Sequence, residues 1–107
     1  MSNAKSLTTS ALDAEVLKST LPVMIDFWAD WCAPCKVIAP AVDAVALQFD
    51  GKAKVLKVNV DEERGLASHF NIVNIPTLLF FKNGKVVDQV IGTTSKENLA
   101  RKLQSLI

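Results

Sequence analysis

The sequence predicts an α/β fold, a mixed sheet of four or five strands with a parallel centre, an antiparallel C-terminal hairpin and helices on both faces. Three observations carry this. Residues 23–29 form a strand-like run that is apolar on both faces, the pattern of a central strand covered on both sides. Segments of helical period alternate with segments rich in β-branched residues, and strand–helix–strand units pair in parallel. Near the C-terminus, Asn83-Gly84 separates two strand-like runs, a strong short-range hairpin signal.

Taken in order, Thr9 or Ser10 is placed to cap a first helix, with Asp13 near its positive end and Leu12, Val16 and Leu17 on one face. A weak strand is allowed before it. Pro22 opens the central strand. A second helix is expected over residues 34–49, where Val37, Ile38, Ala41, Val42, Val45 and Phe49 recur at helical spacing. Pro40 lies inside it and is expected to bend it, because the ring removes one hydrogen bond and crowds the preceding turn. Asp50-Gly51 ends that helix, and residues 54–60 read as the next strand. Asp61 is expected to cap a short helix with Glu62 and Glu63 in its first turn and Leu66 and Phe70 four apart. Residues 77–81 and 86–91 are the two hairpin strands. A last helix starts at Thr94 or Ser95, where Thr94-x-x-Glu97 fits a capping box, and Leu99, Leu103, Leu106 and Ile107 form its apolar stripe.

Size and charge narrow the function. A chain of 107 residues, half of them apolar, fits one compact domain spanning 1–107. Residues 1–6 are left open between a flexible terminus and a cloning remnant, since Ser2-Asn3-Ala4 has that form. Twelve Lys plus Arg against 11 Asp plus Glu leave a net charge of +1, which argues against a nucleic-acid partner held by phosphate neutralisation. No polybasic run supports a membrane surface, and the apolar runs are too short to cross a bilayer. The polar first ten residues lack the apolar stretch of a secretory signal, so the expected location is cytoplasmic.

The chemistry lies in Trp31-Cys32-Ala33-Pro34-Cys35-Lys36. Two cysteines three apart make a poor staple, since closing so short a loop stabilises a fold by only about 2 kcal/mol. Their position, where the strand ends and the helix begins, suits a reactive pair. Unpaired N–H groups and the helix dipole favour a thiolate at Cys32, and Pro34 fits the first turn. Cys32 is then a nucleophile toward a substrate disulfide and Cys35 the thiol that resolves the mixed disulfide. A zinc site would need two more ligands, and the one histidine, His69, lies far along the chain, so no metal is expected. No Gly-rich phosphate cradle is present either. No cofactor is expected, and electrons must come from another protein. Asp26, in the middle of an apolar strand, is costly there unless protonated, paired or hydrated, and burial should raise its pKa.

Residues 26–36 closely resemble the thioredoxin family, as do Lys57-Val58-Asn59-Val60-Asp61, Ile75-Pro76-Thr77, Phe81-Lys82-Asn83-Gly84 and Gly92. These motifs stand in register from about residue 7 to the end. The resemblance implies a thioredoxin fold and protein-disulfide reductase activity serving cell redox homeostasis. It implies Cys32 as nucleophile, Cys35 as resolving thiol, Asp26 as a proton relay to Cys35 and Lys57 as modulator of Asp26. It implies that Pro76 is cis and that Ile75 offers backbone hydrogen bonds to an extended substrate segment. Trp31, Ala33, Pro34, Ile75, Pro76 and Gly92 would form an apolar docking rim, with Trp28 as core beneath it; Gly92 keeps an equal reading as a turn residue. Implied partners are a thioredoxin reductase as electron donor and disulfide-containing client proteins, met by a monomer.

Two departures from the family pattern stand out: Ala33 replaces the usual glycine, and Asn74 stands where glycine is common. Pro34 has no adjacent histidine, which argues for a reducing rather than a strongly oxidising member. Two other functions remain alongside the general reductase: a non-catalytic binding module using the same rim, and a reductase dedicated to one client.

Overall fold

The computed structural model describes residues 4–107. Five strands form one sheet: β1 (Lys5–Ser6), β2 (Val23–Trp28), β3 (Lys54–Asn59), β4 (Thr77–Lys82) and β5 (Lys85–Ile91), in the spatial order β1-β3-β2-β4-β5. The pairs β1·β3 and β2·β3 are parallel, whereas β2·β4 and β4·β5 are antiparallel. Strand β2 is central, as its two-sided apolar pattern requires, and its first five residues are buried. The Asn83-Gly84 turn closes the β4–β5 hairpin with both residues at positive φ (53° and 78°), which is the conformation that favours this dipeptide.

Three α-helices follow the strands: α1 (Ala33–Gln48), α2 (Arg64–His69) and α3 (Lys96–Gln104). Alternation along the strands splits the core in two. Met24, Val55, Leu78 and Phe80 face α1 and α3, meeting Ile38, Val42, Val45, Leu99 and Leu103. Val23, Ile25, Phe27, Val58, Leu79 and Phe81 face the other way, meeting Val16 and Leu66. Pro40 lies inside α1, where the sequence places it.

Several expectations fail locally. The first helix is not a capped α-helix but a 3₁₀ turn at Thr9–Ala11 followed by a π-helical turn at Asp13–Leu17. Thr9 does not cap: its N–H and hydroxyl donate to the Glu63 carboxylate at 2.7 and 2.9 Å, a partner 54 residues away. Asp61 caps nothing either, because α2 starts at Arg64. The Asn59 side chain instead accepts from the Asp61 and Glu62 N–H groups at 2.9 and 3.3 Å, holding 61–62 in a turn. At α3 the cap is Ser95, whose hydroxyl accepts from Asn98 N–H at 3.1 Å, while Thr94 accepts from the Asn98 side chain. The N-terminal expectation also changes. Ala4 is buried in the core and Lys5–Ser6 pair with Leu56–Lys57, so these residues belong to the sheet; residues 1–3 of that expectation lie outside the described residues.

Candidate active site

The site forms where β2 ends over the start of α1. Strand β2 delivers Ala29 to the floor, a turn follows, and Cys32 takes the N-cap position of α1 in an extended conformation (φ −92°, ψ 102°). Pro34 occupies the first turn, where its missing N–H leaves nothing unsatisfied. Cys32 and Cys35 are joined in a disulfide with Cα atoms 5.3 Å apart. The Cys35 N–H donates to the Cys32 sulfur at 3.2 Å, so that sulfur holds the acceptor position which a serine or aspartate oxygen takes at an ordinary N-cap. An anion at this atom gains both the donor and the dipole of the helix.

Both cysteines are almost covered, with 4 % and 3 % of their surfaces exposed. The sequence suggests a sulfur standing at the helix mouth; the disulfide instead lies just beneath it, with Trp28, Val60 and Ile75 packed against it. Around it the expected rim is assembled in part. Trp31 is 70 % exposed, its indole N–H donating to the Asp61 carboxylate at 2.8 Å. Ala33 and Pro34 are exposed, and Ile75 and Gly92 half-buried. Pro76 is buried rather than part of the exposed rim. The Ile75-Pro76 peptide is cis, as the resemblance implies. Gly92 has φ +91° and donates its N–H to the Pro76 carbonyl at 2.8 Å, which ties the end of β5 to the cis-proline loop. The positive φ gives Gly92 a backbone reason to be glycine.

Asp26 sits in the middle of β2, 1 % exposed, with Lys57 beside it in register on β3 and Leu78 on β4. Neither carboxylate oxygen has a hydrogen-bond partner among the described residues. Burial pushes the Asp26 pKa up from 3.8 to about 6; Lys57 pulls it down and Asp43 on α1 adds to the rise. Lys57 is half-buried and is in none of the ion pairs of the described residues. Its ammonium lies 4.8 Å from the centre of the Trp28 ring. Trp28 is therefore half-buried between the disulfide and this lysine, rather than plain core.

Sequence reasoning missed Asp61 as the anchor of Trp31, because the two are 30 residues apart and nothing local links them. It also missed Val73, 87 % exposed two residues before Ile75, which with Asn74 and Ile91 lines an open cleft of about 440 Å³. His69 is exposed at the C-terminal end of α2 and packs edge-on against Phe70; among the described residues no cluster of three metal-ligating groups occurs.

The thioredoxin family model matches residues 3–105 of the chain. Among similar proteins, thioredoxin 1 of Nostoc sp. is 49 % identical over 104 residues, covering 97 % of each chain. Thioredoxin 1 of Synechococcus elongatus is 48 % identical over 103 residues, 96 % of each. The thioredoxin of Synechocystis sp. is 44 % identical over 107 residues, the full length of both.

Proposed function

The chain belongs to the thioredoxin family of protein disulfide oxidoreductases, and from that premise we propose that it reduces disulfides in client proteins and is recharged by a thioredoxin reductase. The observation that carries this reading is the Cys32–Cys35 disulfide at the N-terminus of α1, with the Cys32 sulfur already placed as the helix cap.

The cycle follows from that placement. In the reduced form the Cys32 thiolate attacks a client disulfide, forming one mixed S–S bond and expelling a client thiolate. The Cys35 thiol loses its proton and attacks the Cys32 sulfur, closing the internal disulfide and expelling the second client thiolate. The client gains two electrons and two protons, and the chain is left oxidised until a dithiol of the reductase reverses the exchange. Asp26 is the group to take the Cys35 proton. A carboxyl with a pKa of about 6 is mostly ionised at neutral pH yet basic enough to accept, which suits a general base. Lys57 modulates that charge. Trp31, Ala33, Pro34, Ile75 and Gly92 make the surface on which the client rests, with the cis Ile75-Pro76 peptide beside it.

A monomer acting in a reducing compartment, the cytoplasm, fits this role. Among the described residues no helix is long and apolar enough to cross a membrane. The test is insulin-disulfide reduction with dithiothreitol as electron source. The expected result is precipitation of the insulin B chain well ahead of the dithiothreitol blank, abolished by Cys32→Ser. A rate equal to the blank rejects the reductase. Client binding unchanged by serine at both cysteines would point to the binding-module alternative.

A further inference from the structure

A buried carboxylate beside a lysine is ordinarily found paired, because a buried charge left without a partner is costly. Asp26 and Lys57 are register partners on adjacent parallel strands, so their side chains leave the same face of the sheet from neighbouring Cα atoms. The ion pair is nevertheless not made. Both Asp26 oxygens lack a hydrogen-bond partner among the described residues, and the Lys57 ammonium rests over the Trp28 indole.

Trp28 lies two residues after Asp26 on the same strand and face. Its ring presents a negative quadrupole to the lysine, an attraction of about 0.5–2 kcal/mol depending on solvation. On its other side the ammonium borders an open cleft of about 300 Å³ lined also by Ser6, Thr8, Asn59, Glu62 and Glu63, and it is in none of the ion pairs of the described residues. Ring and cleft lie on the open side of a carboxylate that sits deeper in the sheet. The other groups facing Asp26 do not replace the lysine. Asp43 on α1 is of like charge, β4 contributes Leu78, and α3 contributes Leu99 and Leu103 to the same face.

We propose that Trp28 is a positioning residue for proton transfer: its ring face holds the Lys57 ammonium away from Asp26, leaving that carboxyl unpaired and able to take up and return a proton. This rests on Asp26 being the base of the dithiol step, but its test does not. Without the ring, Lys57 turns inward and pairs with Asp26, fixing the carboxylate in its charged form. The carboxylate would then be too weak a base to take up the Cys35 proton readily.

The test follows the Asp26 carboxyl ¹³C resonance against pH in the intact oxidised protein, with Tm recorded for each variant. Trp28→Leu should lower the midpoint by at least about one pH unit, as expected of a new opposite charge within ion-pair reach. Trp28→Phe keeps an aromatic face and should leave the midpoint within about half a unit of wild type. In the Lys57→Met background, Trp28→Leu should change nothing. A midpoint unmoved by Trp28→Leu overturns the proposal. So does an equal fall with and without Lys57, which would mean that removing the ring merely hydrates Asp26. If Trp28→Leu fails to fold, Trp28→Phe against Trp28→Met decides, with a fall only in the methionine variant expected and no difference contradicting. Insulin reduction lost in wild type would sink the function while leaving this titration intact, so the two failures are separable.

Discussion

The Asp26 carboxyl contributes a pH dependence of its own to stability. Below about pH 3 it is protonated folded or unfolded and adds no pH dependence. Between about pH 3 and 6 the unfolded chain releases the proton while the folded one retains it, so stability falls as pH rises and stays lowered above the folded pKa. A rise from 3.8 to about 6 amounts to about 3 kcal/mol at neutral pH. Asp26→Asn removes the ionisation. Its stability relative to wild type, from denaturant unfolding of the oxidised protein, should therefore grow by about 3 kcal/mol between pH 3 and pH 8. A difference that stays flat with pH contradicts this account. The reactive pair was legible at this scale because its signal is local, a C-x-x-C at a strand-to-helix turn, and Asp26 because a charge inside an apolar run is conspicuous. What escaped were side-chain contacts made across the fold with no local signal: Asp61 with Trp31, Glu63 with Thr9, and Lys57 with the Trp28 ring.

Helix ends show the same division among elements. Where the competing partner is a near neighbour, propensity decides, as at α3, where two candidate caps stand side by side and Ser95 takes the Asn98 N–H. Ser95→Ala should cost about 1 kcal/mol in thermal or denaturant unfolding. Thr94→Ala, which removes only a side-chain contact to Asn98, should cost less. Equal losses would mean that the two share the cap. At α2 the local reading was overruled, since the Asn59 side chain holds the two N–H groups that a helix starting at Asp61 would have used within itself. The strands were legible almost to the residue because short runs rich in apolar and β-branched residues and the Asn-Gly turn are intrinsic to the chain.

Across the whole molecule, the sheet order β1-β3-β2-β4-β5 puts the most apolar strand in the centre and the disulfide at its C-terminal end, on the N-terminus of the helix that leaves it. The site is thus built by the topology rather than by any one loop. The opposite end of the sheet is held by a long-range contact: Gly84 in the β4–β5 turn, at φ +78°, packs so closely on Leu17 that a Cβ would overlap the Leu17 backbone carbonyl. Gly84→Ala should therefore cost more than the roughly 1 kcal/mol of left-handed strain alone, read as a fall in unfolding midpoint with the disulfide intact. A cost near zero would show that the turn and Leu17 are not locked together. Parallel pairing and element order were legible from alternation of helix and strand periods; that Lys5–Ser6 joins the edge beside β3 was only weakly signalled, because two residues carry almost no pattern.

The central claim is that Cys32 attacks and Cys35 resolves. Mass spectrometry of the reduced single-cysteine variants mixed with a disulfide substrate tests it most directly. Cys35→Ser should accumulate a covalent adduct at Cys32, released by dithiothreitol, while Cys32→Ser should accumulate little or none. Equal trapping by both variants, or adducts chiefly on Cys35, would contradict the account.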